Sequence, residues 1–179
     1  MKRLPVMLAA LTAALLAAPT VIAQEGAQAD PNLLRAKLRG INEVPLVSTP
    51  GRGEFVGRIV DDDTAIEYEL SYSDLQADFQ QSHIHIGKPL TNGGIAVWLC
   101  GSDALPGPVG TPRCIGARTG GVTGRITAAN VIGPASQGIT AGEFAELIAN
   151  LRKGNGYANV HTVQSPGGEI RGPVLRGGE

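Results

Sequence analysis

Apolar residues recur at every second position along much of this chain, and that spacing restricts its fold more than any other feature. Leu34, Ala36 and Leu38 alternate with Arg35, Lys37 and Arg39, and Ile66, Tyr68, Leu70 and Tyr72 alternate with Glu67, Glu69 and Ser71. Side chains two apart share one face of a β-strand, so each stretch can bury one face and wet the other, as antiparallel sheets do. Comparable strands are predicted at 55–60, 82–86, 95–100, 122–126, 156–162 and 169–175, separated by Gly, Pro and Asn. Asp61-Asp62-Asp63 lacks the glycine and terminal glutamate of a calcium loop and reads as a solvated hairpin turn. Gly167-Gly168 leads into a strand and has no Lys-Ser/Thr, so it reads as a hairpin turn after Pro166 and not as a phosphate loop, with Glu169 and Arg171 as a same-face pair.

One segment departs from the period of two. Thr140-Ala141-Gly142-Glu143 has the spacing of a capping box, and Phe144, Leu147, Ile148 and Leu151 follow at helical intervals. A short helix is expected to stop near Lys153-Gly154 and to lay its apolar stripe over an open end or edge of the sheet. The expected fold class is therefore all-β, an antiparallel β-sandwich or barrel with one short helix.

Residues 1–23 read as a secretory signal peptide: a basic start at Lys2-Arg3, an uncharged apolar run from Leu4 to Ala18, and small residues up to a cleavage point after Ala23. A spanning helix is the poorer reading, because Pro19, Gln24 and Glu25 end the run early. Residues 24–32 are expected to form a flexible polar arm, and 33–175 a single domain. The protein is thus expected to be secreted or periplasmic.

Without Lys2 and Arg3, thirteen basic residues face sixteen acidic ones, a formal charge of −3. That balance argues against a nucleic-acid partner, and the lack of a basic run argues against binding to an anionic membrane surface. The expected partner is a metal ion or small ligand, or another protein.

The only cysteines, Cys100 and Cys114, bracket a Gly/Pro-rich loop. In an oxidising compartment they are expected to form a disulfide. The competing reading, thiolate metal ligation, fits no zinc spacing. Trp98 lies on a strand that is apolar in both phases, which predicts a central strand with the indole under the helix or beneath the disulfide loop.

All three histidines fall into two short motifs, Ser82-His83-Ile84-His85-Ile86 and Asn159-Val160-His161-Thr162. They occupy the phase opposite to the apolar residues and are expected to face away from the core. If the two strands are neighbours, His83, His85 and His161 can share a copper or zinc ion, since neutral imidazole suits both. Protonation in the usual histidine range near 6.5 would oppose that binding. Asp74, Asp78 and Glu169 are candidates for an oxygen ligand or an outer acceptor that fixes a tautomer. The alternative is that the imidazoles only hydrogen-bond neighbouring strands, with Asn159, Glu169 or Glu43 as partners. No Gly-x-Ser-x-Gly turn is present and no catalytic residue is assigned, so a binding role is favoured over an enzymatic one.

Asn42-Glu43-Val44-Pro45, His83-Ile84-His85-Ile86-Gly87 followed by Gly93-Gly94-Ile95-Ala96-Val97-Trp98-Leu99, then Tyr157-Ala158-Asn159-Val160-His161-Thr162 and Pro166-Gly167-Gly168-Glu169-Ile170-Arg171-Gly172 resemble, in order and spacing, the motifs of the CHRD domain first described in chordin. The resemblance runs from about Leu33 to Leu175. It departs at Leu46, where a second proline is common, and at Ile86, where a polar residue often precedes the glycine. It implies an immunoglobulin-like or barrel-like β domain of secreted proteins with no established catalytic activity, while chordin itself binds growth factors. The His-Ile-His strand is also similar to a copper-ligand strand of Cu/Zn superoxide dismutases, but three histidines cannot assemble that full site. The expectation is an exported binding module of superoxide-dismutase-like or immunoglobulin-like fold with a surface three-histidine copper or zinc site. The alternatives are a metal-free protein-interaction or structural domain and, ranked behind it, a superoxide-dismutase-like redox enzyme.

Overall fold

In the computed structural model, which describes residues 30–177, the alternating stretches become eight strands. They are β1 (Leu33–Arg39), β2 (Arg52–Val60), β3 (Ala65–Ser73), β4 (Phe79–Ile86), β5 (Gly94–Gly101), β6 (Gly120–Ile126), β7 (Gly156–Thr162) and β8 (Ile170–Arg176), with a helix α1 (Phe144–Arg152) between β6 and β7. All pairings are antiparallel, in the order β5-β4-β7-β8-β1-β2-β3-β6, and the sheet curls into a nearly closed barrel. The expected leader and residues 24–29 of the arm lie outside the described residues. Of the rest of the arm, Asp30 pairs with Arg58 and Asn32 accepts a hydrogen bond from Arg152.

The inward phase is the one the sequence marks. Leu34 and Leu38 on β1, Phe55 on β2, Ile66 and Leu70 on β3, Ile126 on β6, Ile84 on β4 and Ile170 on β8 are fully buried in one cluster. Asp61, Asp62 and Asp63 turn from β2 into β3 with positive φ throughout, a conformation that aspartate tolerates better than most residues. The α1 helix covers this end of the barrel. Phe144, Leu147, Ile148 and Leu151 all enter the core, and Arg152 at the last turn makes two hydrogen bonds to Asp63. Full burial of Leu147 and Leu151 contributes about 1.5–3 kcal/mol each. Half of the expected capping box is formed, with the Glu143 carboxylate accepting from the Thr140 amide at 2.5 Å.

The seam between the outer strands β5 and β6 corrects one expectation. β5 is not central. It stands at the sheet edge, and its free backbone groups are satisfied by segments that are not strands. Gly94 N–H donates to the Gln137 side chain, Ala96 O accepts from Ile132, and Gly101 bonds Pro112 and Cys114. The strand is apolar on both sides because its inner face meets the core while the disulfide loop roofs its outer face. Tyr68 on β3 passes beneath β6, where Gly124 leaves room for its ring, and donates its hydroxyl to Leu99 O at 2.5 Å. Cys100 and Cys114 are bonded, with α-carbons 5.3 Å apart, and the bond fastens β5 to the segment that bridges to Gly121 on β6.

Candidate metal centre

Strands β4 and β7 are neighbours, the condition on which a shared histidine site depended. His83 faces Asn159 and His85 faces Tyr157, and His161 lies diagonally across from His83. All three imidazoles stand on the outer side of the barrel wall, as their phase predicts. They are nonetheless buried, with only 0, 8 and 6 % of His83, His85 and His161 exposed, so the expectation of a surface site is corrected. Period-two reasoning gives the side of the sheet but not what covers it. Three connections do the covering: the one that carries Glu43, the one from Gly87 to Gly93, and the disulfide loop. A Cβ at Gly107 in that last loop would come within 2.6 Å of the Trp98 ring, which shows how tightly it lies on the indole.

Under this roof the polar groups form two connected sets. In the first, His85 Nδ1 contacts Gly93 O at 2.9 Å and His161 Nδ1 contacts Pro166 O at 2.9 Å. A carbonyl only accepts, so both Nδ1 atoms carry the proton and both Nε2 atoms present a lone pair. His83 Nδ1 lies 3.1 Å from His161 Nε2. The Nε2 atoms of His83 and His85 are buried without a partner. One ring nitrogen from each of the three histidines falls within 4.8 Å of the others.

Burial, followed by the neighbouring imidazoles His161 and His85, pushes His83 down to about 2. Burial likewise pushes His161 to about 4, against the Pro166 hydrogen bond, and lowers His85 against its bond to Gly93. Burial thus favours in all three the neutral form that ligates metals, and holds His83 and His161 neutral well below the ordinary histidine range.

The second set braces the first. The Arg171 guanidinium lies 4.6 Å from the centre of the Tyr157 ring, and that ring stacks on His85 at 4.8 Å. Arg171 also donates to Glu43 at 2.8 Å, to Thr91 O and to Asn92, and Glu43 in turn accepts from Asn159 at 2.6 Å. Burial pushes the Glu43 carboxyl above its usual range despite the adjacent Arg171. Gly168 adopts φ 125°, and a Cβ there would lie 2.6 Å from both Glu43 Oε1 and Asn159 Nδ2, so only glycine fits.

The acceptors named from sequence fall elsewhere. Asp74 and Asp78 are exposed and pair with Arg52 and Arg118. Glu169 is buried and accepts from Thr49, Gln76 and Thr162, while Arg171 pairs with Glu43. Glu43 and Asn159 bond each other and do not touch an imidazole. Backbone carbonyls fix the tautomers instead, and sequence carries no sign of those. Sequence gives Tyr157 no role at the site and Arg171 only a place on the face of Glu169, although Tyr157 shares its phase with Asn159 and His161 and Arg171 pairs with Asn159 in register.

A comparison with protein families matches residues 34–174 to the CHRD domain. No curated protein and no solved structure matches the chain.

Proposed function

The chain belongs to the CHRD domain family, and from that premise we propose that it is an exported binding module that holds one copper or zinc ion on His83, His85 and His161. One observation carries the reading: His85 Nε2 is buried with no hydrogen-bond partner in a cluster where one nitrogen from each of the three rings lies within 4.8 Å of the others, His83 Nδ1 only 3.1 Å from His161 Nε2. A buried polar atom without a partner costs about 1–3 kcal/mol, and a metal ion on His85 Nε2 would remove that cost. The carbonyls of Gly93 and Pro166 orient two of the rings as outer acceptors orient metal-ligating histidines. Export is supported by the Cys100–Cys114 bond, which persists in oxidising compartments. The test is metal content per chain, by mass spectrometry, of tag-free protein purified from its native compartment, with His85→Gln alongside. About one copper or zinc per parent chain and far less in the variant is expected, and equal, negligible content in both refutes the reading.

A specific surface favours a second role, the binding of another protein. Ile41 and Leu90 are 76 and 82 % exposed. Ile41 and Leu90 border a hollow of about 160 Å³ walled also by Pro89, Tyr157 and Pro173. Exposed apolar groups gathered about one hollow mark a contact surface more often than scattered ones do. Loss of partner capture by Leu90→Ser with unchanged stability would support this role.

A further inference from the structure

We infer that the ion is monovalent copper, Cu(I), held by the three imidazoles alone with no fourth ligand. This rests on the metal reading above and sharpens it to one ion and one coordination number.

Charge favours a monovalent ion. The donors are three neutral rings, and among the described residues no carboxylate or thiolate joins their group. Glu43 is engaged by Asn159 and Arg171, and the two cysteines are bonded to each other. Arg171, whose charge is paired with Glu43, lies over the Tyr157 ring that stacks on His85. A divalent ion would stand in a buried position with no charged ligand to offset it. The penalty for removing an ion from water grows as the square of its charge, so a monovalent ion bears about a quarter of it.

Coordination favours the same ion. Zinc takes four ligands, and Cu(II) takes four or more in a tetragonal arrangement. Cu(I), with a filled d shell, is satisfied by three nitrogens in a plane. Nitrogens about 2.0 Å from an ion at trigonal angles are about 3.5 Å apart. His83 Nδ1 and His161 Nε2 are 3.1 Å apart, and one nitrogen from each ring lies within 4.8 Å of the others, so closing on an ion needs shifts of the order of 1 Å.

Access favours it too. The Trp98 ring packs against His83 with centroids 4.3 Å apart, beneath the disulfide loop, and Tyr157 is stacked flat on His85. The free nitrogens of His83 and His85 are fully covered. Solvent does not reach those two nitrogens, and this packing opposes a water or anion as the fourth ligand that a divalent ion requires.

The experiment titrates tag-free protein with Cu(I), anaerobically and against a chromophoric chelator, and separately with Zn(II) and Cu(II). Trp98, the only tryptophan of the chain, reports binding at His83 by its fluorescence. We expect one Cu(I) per chain, quenching of Trp98, and affinity roughly 100-fold or more above that for Zn(II). His85→Gln and His161→Gln should each lose at least 100-fold in Cu(I) affinity. X-ray absorption of the Cu(I)-loaded parent, which needs no variant to fold, should show three nitrogen neighbours. Zn(II) or Cu(II) binding within tenfold of Cu(I), or a four-ligand Cu(I) shell, overturns the monovalent assignment and leaves the metal centre standing. No saturable binding of any of the three ions overturns the metal centre itself.

Discussion

Acidifying the metal-free protein from pH 7 to pH 5 tests the electrostatics of the three histidines directly. In the unfolded chain each imidazole takes up a proton near 6.5, while in the folded chain burial holds His83 at about 2 and His161 at about 4, with His85 also lowered. The unfolded state therefore binds more protons throughout this window, and stability falls as pH falls. The loss begins near 6.5 and continues down to about 4 for His161 and about 2 for His83. At 1.36 kcal/mol per unit, a histidine that stays neutral 1.5 units below its unfolded value loses about 2 kcal/mol at pH 5, or about 4 kcal/mol for His83 and His161 together. His85 adds to the loss. Glu43 acts oppositely, since its raised carboxyl binds a proton in the fold before it does so in the unfolded chain. The net loss is expected to be about 3 kcal/mol or more, a large share of the ~5–15 kcal/mol available to a typical domain. Urea unfolding followed by Trp98 fluorescence at pH 7, 6 and 5, with chelator present, measures it. His161→Gln, whose amide does not titrate, should reduce the pH-dependent loss by about 2 kcal/mol. A parent that loses under about 1 kcal/mol, or a variant with the parent's pH dependence, refutes the reasoning.

The same neutrality alters the expected pH range of metal binding. Affinity of the folded protein for Cu(I) should be nearly flat from pH 7 to 5.5, where ordinary histidines would already compete with protons; a tenfold fall over that interval in chelator competition would count against it. Leu147→Ala, removing a wholly buried helix side chain, should lower unfolding stability by about 2–5 kcal/mol in urea. Arg171→Ala strands the buried Glu43 carboxylate and should cost about 3–5 kcal/mol at pH 7. Adding Glu43→Gln to that variant should restore part of the loss, and a double mutant no more stable than Arg171→Ala would contradict the pairing. Cys100→Ser with Cys114→Ser releases a loop of sequence separation 14 and should lower the urea midpoint by the equivalent of about 3 kcal/mol.

How far the sequence reaches can be judged from particular residues. Alternation at Leu34–Leu38 and Ile66–Tyr72 gives the strands and their inner faces, since a one-residue shift would expose the whole core set. Phe144, Leu147, Ile148 and Leu151 give the helix and the face it buries. The rank of β5 was not legible, because a strand roofed by a loop and a strand flanked by two others have the same apolar composition. The histidines show the same divide. Their side of the wall follows from phase, whereas their burial depends on the Glu43 connection and the disulfide loop, which fold back from distant parts of the chain. The Arg171–Glu43 pair joins residues 128 positions apart, and no local pattern points from one to the other. The carbonyls of Gly93 and Pro166 belong to backbone, which composition does not distinguish.

The eight strands form a strip of sheet rolled up without a complete ladder between its two ends. Tyr68, the Ile132 and Pro112 backbone contacts and the Cys100–Cys114 bond hold that junction shut. No strand pairing has to break for the strip to unroll there. A reduced molecule should thus exchange the amides of β5 and β6 first, while β1 and β2, in the middle of the strip, stay protected. An unrolled strip also presents two rows of free donors and acceptors to any chain that meets it, including another copy of itself. Reduction of the covalent clasp is therefore expected to lower solubility as well as stability, by leaving a barrel prepared to trade strands.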